Sequence, residues 1–357
     1  MALHEVLSSH FELNSVGPIN PGSDYPAKAV SKLRRMSGFS GSFHFFSKRR
    51  LMRISQMVTA KVEPIAESDF FHGSTPWILY ESPRPYFAYV DTCFSTYVDV
   101  YHHRSSFLPR DLERIFALEA NWLSRAAAVF FGTQWALEQV LNDYSISQSN
   151  LKVVGAAGSM KIPDLDRYQE GIRLLFIALD FKQKGGQICV EAFRKVQSQL
   201  PDAELVIVGG DPDPEVLALP GVRYEGFLSK SVPEELSRLS DLYSTAFALV
   251  HPTSSDIQPL VISEAGYFGC PAIAPRSFGI PELIHDGVTG YLIDLPLTAD
   301  AFAERIVKLA TDRTRYMEMR KAARANAIEN QTWPAVGERI AREIARASST
   351  GSSGKSC

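Results

Sequence analysis

Two acidic residues, Asp256 and Glu264, are separated by seven residues in the segment HPTSSDIQPLVISEAG. The segment reads as the end of a buried strand, a turn and an apolar helix. Backbone amides from Gln258 to Val261 lie between the acids, and amides at a helix N-terminus bind phosphate groups together with the helix dipole. One carboxylate can accept from sugar hydroxyls and the other from ribose hydroxyls. The pattern suits a nucleotide sugar, whereas the alternative is that both acids only cap a helix.

The residues around this pair extend the pattern. The stretch HPTSSDIQPLVISEAGYFGCPAIAPRSFGIPELIHDGVTGYLID (251–294) resembles glycosyltransferase family 4, the retaining enzymes of the GT-B fold, in which two glutamates separated by seven residues mark the donor site. The resemblance covers residues 75–345 and is most specific over 171–294. It implies that Glu264 binds the ribose and that Asp256 contacts the transferred sugar. The aspartate is one methylene shorter than the family's glutamate.

A basic turn, DFKQKGG, follows the apolar run LLFIAL (174–179). In the family this turn carries cations, and Lys184 with Gly185 matches the family's Lys-Gly pair in a variant that begins here at Asp180. A cation is needed because the leaving nucleoside diphosphate gains negative charge as the glycosidic bond breaks. We therefore predict Lys184 as a catalytic residue and Gly185 as a donor-binding residue, whereas Lys182 fits better as a solvated loop lysine.

Two further segments complete the predicted donor site. The helix start at Pro259, Leu260 and Val261 is expected to hold the diphosphate. The loop at Gly226-Phe227-Leu228 matches the family region beside the nucleotide base, where backbone amides can read the base edge. Phe227 belongs either to that loop or to an ordinary core.

Asp91 ends the apolar segment YFAYVD (86–91). Relatives with a similar segment place a His or Asp there, so the resemblance implies that Asp91 binds a donor-sugar hydroxyl or helps to position the acceptor. The alternative is that Asp91 caps the turn with Thr92. Glu119 and Thr133 are predicted either to line the cleft or to have structural roles.

Apolar strands that alternate with amphipathic helices must position these residues. In the second half the predicted strands are LLFIAL, ELVIVGG, RYEGF, FALVHPT and PAIAP, and in the first half FELNSVG, WILYES, YFAYVD, AAVFFGT and LKVVGA, with a long helix over Pro109 to Ser124. The alternation predicts parallel sheets covered on both faces. The predicted class is α/β of the GT-B type, with two Rossmann-like doubly wound domains facing a cleft beyond the strand C-termini.

The predicted domains are an N-terminal acceptor-side domain (1–158) and a C-terminal nucleotide-sugar domain (159–330), followed by a helix (331–347) that packs back and a disordered tail (348–357). Members of the family open with a hydrophobic strand and a Gly-rich loop, which are predicted to be missing because the chain begins as HEVLSSHFELNSVGPI. Loss of a central first strand would expose its neighbours. The start is therefore truncated, replaced by another segment, or part of a rearranged domain.

Composition narrows the class of protein further. The chain has 357 residues, 45% of them hydrophobic and 22% charged, with a net charge of −3, which does not favour a nucleic-acid partner. The four cysteines have no metal or redox spacing, and the adjacent His102 and His103 read as polar surface features rather than metal ligands. There is no signal-peptide pattern and no apolar run that could span a membrane. We expect a cytoplasmic protein that uses a nucleoside-diphosphate sugar as co-substrate and needs no metal or other cofactor.

Residues 25–62 contain nine Lys or Arg and no Asp or Glu, with Phe39, Phe43, Phe45 and Phe46 between the two basic clusters. Such a segment can dock on anionic lipid head groups or bind a phosphorylated acceptor. We predict a peripheral contact with the inner face of a membrane through residues 28–53. The alternative is a solvated basic face.

The predicted reaction is transfer of a hexose-like sugar from a nucleoside diphosphate to a hydroxyl acceptor with retention, in glycan or glycolipid assembly. No residue is an obvious general base. The resemblance implies front-face substitution in which the leaving phosphate receives the acceptor's proton, while the protein supplies positioning and charge stabilisation. The alternatives are an epimerase or phosphorylase on the same architecture and a non-catalytic nucleotide-sugar-binding subunit.

Overall fold

The computed structural model describes residues 2–352 and divides them into two compact units. Residues 2–155 and 337–352 form the N-terminal unit, and residues 156–336 form the C-terminal unit. The predicted boundary after Gly158 therefore falls just inside the C-terminal unit. Each unit is built around its own parallel sheet.

The sheet of the N-terminal unit has four parallel strands in sequence order. They are β1 (Asp69–His72), β2 (Tyr86–Val90), β3 (Ala128–Phe131) and β4 (Leu151–Val153). The helices are α1 (Ala2–Ser8), α2 (Tyr25–Met36), α3 (Lys48–Lys61), α4 (Phe94–Tyr101), α5 (Pro109–Arg125) and α6 (Gln134–Asp143), with short 3-10 helices at His44–Phe46, Thr75–Trp77, Arg104–Ser106 and Gln148–Asn150.

Two predicted strands of this unit are wrong. FELNSVG (11–17) is irregular, and because none of its residues is buried, its apolar side chains have no core to face. WILYES (77–82) lies at a 3-10 helix and a turn, since the amide of Trp77 donates to Ser74 and that of Tyr80 donates to Trp77 instead of to a neighbouring strand. The strand is the preceding DFFH, which is too short to show a periodic signal.

Within the described residues the first strand begins at Asp69, so neither the strand predicted at FELNSVG nor a strand nearer the start of the chain is found. The sheet nevertheless has no internal gap, because β1 pairs with β2, β2 with β3, and β3 with β4. The expected exposure of strands on both sides of a missing partner is therefore not found. The strands follow their sequence order across the sheet, with β1 at one edge and β4 at the other. The unit is therefore arranged differently from a sheet whose first strand is central.

The C-terminal unit contains a six-stranded parallel sheet in the order β10-β9-β8-β5-β6-β7. The strands are β5 (Arg173–Ala178), β6 (Glu204–Gly209), β7 (Val222–Tyr224), β8 (Ala248–Val250), β9 (Ala272–Pro275) and β10 (Gly290–Ile293). The helices are α7 (Gly186–Gln197), α8 (Pro214–Leu217), α9 (Pro233–Thr245), α10 (Leu260–Tyr267), α11 (Ile280–Leu283), α12 (Ala299–Ala310) and α13 (Arg313–Asn330). The strand order reverses between β5 and β8, which is the arrangement of a doubly wound sheet.

Alternate residues of the C-terminal strands enter two separate cores. Leu174 and Phe176 of β5 pack with α7 and α12 on one face, whereas Leu175 packs with α9 and α10 on the other. All three side chains are fully buried. A strand buried on both faces must be apolar at every position, and this accounts for the run LLFIA (174–178), whereas Leu179 lies after the strand and is 79% exposed. The predicted class, two α/β domains with parallel sheets, is confirmed.

The last helix, α14 (Trp333–Ser352), begins in the C-terminal unit and joins the N-terminal unit from Gly337 onward. There Arg339 donates to the Val154 carbonyl at 2.6 Å. The helix continues through residues 348–352, so the prediction of a disordered tail from 348 is wrong for these residues, and 353–357 lie outside the described residues. Among the described helices, none combines the length and apolarity needed to cross a membrane.

Candidate functional site

The point of strand-order reversal brings together two predicted residues of the C-terminal unit. Lys184 lies in the turn after β5 and Asp256 in the loop after β8, and these strands are neighbours in the sheet. Because parallel strands end at the same edge, both loops meet there. The Lys184 Nζ lies 2.9 Å from Asp256 Oδ2 and donates to the Ser255 carbonyl at 2.6 Å.

Two glycines hold the turn that carries Lys184. Gly185 has a φ of +80°, and a Cβ placed there would lie 2.0 Å from the Pro252 carbonyl oxygen. A Cβ at Gly186 would lie 2.4 Å from the ring of Phe181. A side chain at Gly185 would push the turn away from the loop that follows β8, whereas one at Gly186 would displace Phe181 within the turn. Gly185 therefore allows the lysine to lie close to Asp256, and Gly186 allows the turn to pack on Phe181.

The Asp256 carboxylate has a second side-chain neighbour that was missed in the sequence. His251 Nε2 lies 3.3 Å from Asp256 Oδ2. Burial raises the pKa of Asp256, but the His251 hydrogen bond and charge together with Lys184 outweigh it, so the pKa lies below its ordinary value of 3.8. His251 is buried at the end of β8, and its Nδ1 has no hydrogen-bond partner among the described residues. Its position directly after a strand was the available signal.

Glu264 is the most completely enclosed acid of the site. It lies on α10 with no solvent-exposed surface. Its Oε1 accepts from the amide and hydroxyl of Ser159 at 2.9 and 3.1 Å and from Lys230 Nζ at 2.5 Å, while its Oε2 accepts from the Tyr243 hydroxyl at 3.0 Å. A buried carboxylate is tolerated only when such partners replace its water. Burial and the Glu264 charge raise the pKa of Tyr243 well above its ordinary value.

Ser159, Lys230 and Tyr243 were not predicted as site residues. Lys230 follows the Gly226-Phe227-Leu228 loop in the sequence, and this proximity was the only hint. Ser159 reaches Glu264 because the preceding Gly158 has no side chain: a Cβ there would lie 2.3 Å from Glu264 Cγ. The three partners come from separate parts of the chain, so no short motif joins them.

The sequence predicted that backbone amides from Gln258 to Val261 line the turn before α10. One of these four residues cannot contribute an amide. Pro259 is the N-cap residue and has no amide proton, so it can line the site but cannot donate. Leu260 and Val261 occupy the first turn, where backbone amides lack intrahelical acceptors. These two residues keep the predicted capacity to bind an anion.

The loop at Gly226 and Phe227 lies after β7. Phe227 is 62% exposed, so its interpretation as an ordinary core residue is wrong. Gly226 has a φ of +72°, and its carbonyl accepts from the Gly209 amide at 2.8 Å, which ties the loop to the end of β6. Contact of this loop with a nucleotide base remains a prediction.

Asp91 belongs to the N-terminal unit and directly follows β2. Asp91 is exposed and lines a pocket, and desolvation by the nearby protein raises the pKa of its carboxyl, although the charge of His72 acts in the opposite direction. The adjacent helix α4 has Cys93 as its N-cap. Among the described residues none donates a hydrogen bond to Asp91, so the capping alternative has no support.

The structural alternatives hold for Glu119 and Thr133. Glu119 is fully buried and accepts hydrogen bonds from the Ser74 and Thr75 hydroxyls, the Phe94 amide and the Tyr144 hydroxyl. Thr133 is buried as the N-cap of α6 and accepts from the Ala136 amide. Glu119 therefore joins the loops after β1 and β2 to the helices around them.

Comparison with known proteins finds sequence similarity mainly in the C-terminal unit. Residues 161–328 match the family model described as glycosyl transferases group 1. The GDP-mannose-dependent alpha-(1-6)-phosphatidylinositol monomannoside mannosyltransferase of Mycolicibacterium smegmatis is 30% identical over 187 residues, which are 49% of this chain and 49% of that protein. The sulfoquinovosyl transferase SQD2 of Arabidopsis thaliana is 29% identical over 44% of this chain and 31% of its own length. The matches thus span about half or less of these curated relatives.

Solved structures share the fold over more of the chain. A sucrose-phosphate synthase from Thermosynechococcus elongatus matches 87% of this chain and 82% of its own with a TM-score of 0.65 and 16% identity. Anabaena HepE in complex with UDP matches 83% of this chain and 82% of its own with a TM-score of 0.62 and 15% identity. These likenesses confirm the predicted GT-B fold. The match of residues 161–328 to the glycosyl transferases group 1 model agrees with the resemblance predicted from the sequence.

Proposed function

We propose that the protein transfers a sugar from a nucleoside-diphosphate sugar to a hydroxyl acceptor with retention of anomeric configuration, in glycan or glycolipid assembly. The observation that carries the proposal is the Lys184–Asp256 pair at the strand-order reversal, next to the first turn of α10. Doubly wound sheets bind ligands at such a point. A lysine and free helix amides provide positive charge for a diphosphate, and carboxylates accept from sugar hydroxyls.

In the proposed reaction Lys184 leaves Asp256 and pairs with the donor diphosphate. Its charge then stabilises the negative charge that grows on the leaving phosphate as the glycosidic bond breaks. Asp256, released from the lysine, is free to accept from a hydroxyl of the transferred sugar. The leaving phosphate takes the acceptor's proton on the same face, and His251 keeps Asp256 oriented from behind through the 3.3 Å contact.

Glu264 is proposed to bind the ribose. Because its carboxylate is buried and already paired with Lys230, ribose binding requires a movement of that lysine. Lys230 Nζ is bonded to the Glu264 carboxylate, so ribose hydroxyls can reach Oε1 only if the lysine moves aside. The Lys230 side chain is 37% exposed and has room to do so. Donor binding is then an exchange in which sugar hydroxyls replace an ammonium group on one buried oxygen.

The test is a binding and turnover experiment with the full chain. Calorimetry against UDP, GDP and ADP, followed by their sugars, should give one base with a dissociation constant at least tenfold lower than the others. Incubation of that donor with mixed hydroxyl acceptors should give a glycoside whose anomeric proton, observed by NMR, has the configuration of the donor.

Other outcomes would contradict the proposal in distinct ways. Nucleotide binding without transfer or donor hydrolysis would favour a non-catalytic binding subunit. Inversion of the donor sugar without transfer would favour an epimerase, and a product of inverted anomeric configuration would exclude retention. No binding of any nucleoside diphosphate would overturn the site assignment.

We also propose that α2 contacts an anionic membrane surface. Leu33 and Met36 of this helix are 64% and 74% exposed, although both are large apolar side chains. Lys32 and Arg34 lie on the same helix, and apolar and basic residues together suit an anionic lipid surface. Arg50 is excluded from this surface because it is buried and donates to the Gly22 and Phe45 carbonyls.

Vesicle sedimentation tests this contact. The chain should sediment with phosphatidylglycerol vesicles and not with phosphatidylcholine vesicles, and Leu33→Ser with Met36→Ser should abolish sedimentation. Salt should weaken the binding because it screens the basic side chains. Equal binding to both vesicle types, or binding that the two substitutions leave unchanged, would contradict a contact through α2.

A further inference from the structure

The N-terminal unit contains a cavity of about 730 Å³ at the carboxyl ends of β1 and β2. This volume is in the range of pockets that hold small organic ligands. Gly73 and Ser74 follow β1, and Asp91 and Thr92 follow β2, so the cavity lies where parallel sheets carry ligand sites. Its other walls come from the segment around the 3-10 helix His44–Phe46 and from α4.

Aromatic rings form most of these walls. Phe43 is central: its ring centroid lies 4.8 Å from that of Phe94, 5.0 Å from that of Phe107 and 5.5 Å from that of Phe46. Phe45 and Tyr97 also line the cavity and are 52% and 37% exposed. Edge and stacked contacts of this kind hold rings in fixed positions. The result is a preformed apolar surface that is still open to solvent.

One group of polar side chains in the cavity lies at the carboxyl ends of β1 and β2. The hydroxyls of Ser74 and Thr75 already donate to Glu119 at 2.7 Å each and are not available as donors. The Thr92 hydroxyl is buried and has no hydrogen-bond partner among the described residues. Together with the Asp91 carboxylate it gives one small donor and acceptor site at the end of β2.

The basic side chains at the walls do not alter the largely aromatic character of the cavity. Arg35 lies with its guanidinium 5.3 Å from the Phe107 ring centroid, so its charge rests against an aromatic face. Burial, followed by the charge of Arg35, lowers the pKa of His102, and burial with nearby cations lowers that of His44. The lowered pKa values favour the neutral form of both imidazoles, so the two histidines add little positive charge to the walls.

We propose that this cavity binds an amphipathic acceptor: its hydroxyl-bearing head meets Asp91 and Thr92, and its alkyl or aryl body packs on the phenylalanines. The inference rests on the proposed function and names the acceptor's chemical class. A free sugar does not fit as well, because a sugar presents hydroxyls on all sides and the aromatic rings that form most of the walls offer them few hydrogen-bond partners. An apolar body gains free energy with each methylene that it buries on the aromatic rings.

The test compares methyl, hexyl and phenyl β-glucosides, which share one head group and differ in the apolar body. Calorimetry or saturation-transfer NMR on the full chain, below the micelle concentration, should show binding of the hexyl and phenyl compounds at least tenfold tighter than that of the methyl compound. Phe45→Ala and Tyr97→Ser should weaken hexyl glucoside binding by about tenfold. Both residues are partly exposed, so the variants should fold, and thermal unfolding checks that they do.

Phe39→Ala is the matched control, because Phe39 is 64% exposed and does not line the cavity. It should leave glucoside binding unchanged. Equal affinity for the three glucosides, or an equal loss in Phe39→Ala and Phe45→Ala, would overturn the inference. Nucleoside-diphosphate binding is measured on the same samples: if it is intact while no glucoside binds, the cavity inference fails and the proposed function stands.

Discussion

Lys184 and Asp256 face each other at 2.9 Å across the two loops that follow neighbouring strands β5 and β8. Both side chains are only 19% exposed. Each charge therefore neutralises the other in a setting where an unpaired charge is costly. A diphosphate that enters this place supplies a stronger partner for the lysine, and the pair is thus a stable arrangement that a donor can open.

Replacement of Lys184 by alanine should weaken binding of the preferred nucleoside diphosphate by ten- to a hundredfold, because a charge-assisted hydrogen bond contributes about 1.5–3 kcal/mol. Lys182→Ala is the control: this lysine lies two residues earlier, is 72% exposed and pairs with Asp213. Calorimetry should show an affinity for Lys182→Ala within about twofold of the original protein. Equal losses in both variants would indicate a general effect of loop charge rather than a site at Lys184.

Asp256→Asn should make stability depend on pH in a defined direction. The folded-state pKa of Asp256 lies below 3.8, so the carboxylate stabilises the fold above that pH, and this contribution is lost as the pH falls through the lowered pKa. Urea unfolding should show the variant less stable by about 1–3 kcal/mol at pH 7. The difference from the original protein should shrink below pH 3.8.

Asp213→Asn is the control for this experiment, because its partner Lys182 is exposed and exposed pairs contribute about 0–1 kcal/mol. The difference in the free energy of unfolding between Asp256→Asn and the original protein is followed from pH 7 to pH 3. If this difference stays constant, the carboxylate charge does not contribute to stability.

Gly185→Ala should destabilise the C-terminal unit by more than about 3 kcal/mol, because it adds a clash with the Pro252 carbonyl to the cost of a positive φ. Gly287→Ala is matched in φ, at +73°, but a Cβ there meets only the end of the Arg315 side chain at 3.6 Å. Gly287→Ala should lower the free energy of unfolding by about 1–2 kcal/mol. Similar losses in the two variants, measured by urea unfolding, would mean that contact with the Pro252 loop is unimportant.

Lys230 and Glu264 should be energetically coupled. Lys230→Met leaves the Glu264 carboxylate without its cation, and we expect a loss of about 1–3 kcal/mol in the free energy of unfolding. Combining it with Glu264→Gln removes the buried charge, so the double variant should lose less than the sum of the two single variants. Urea unfolding of all four proteins gives the coupling energy. Additive losses would show that the ion pair contributes nothing.

Local sequence patterns predicted the C-terminal unit well. LLFIAL, ELVIVGG and PAIAP contain the strands β5, β6 and β9, whose apolar residues are mostly buried because a parallel sheet covered by helices needs apolar residues on both faces. The glycines after β5 were also readable, since their positions require close backbone approach. The N-terminal unit was less predictable. Its strand β1 is only four residues long, and the apolar side chains of WILYES lie in a 3-10 helix and a turn instead of a strand.

The sequence by itself determined the parallel α/β class, the family resemblance that is most specific over residues 171–294 and the types of residue at the proposed donor site, because these depend on periodicity and on short spacings. Tertiary structure decided which of those residues meet. The reversal of strand order puts Lys184 beside Asp256, and long-range packing brings Ser159 and Lys230 to Glu264. It also gathers Phe43, Phe46 and Phe94 around a cavity. Such contacts join segments whose order in space is a property of the whole sheet, which no local pattern contains.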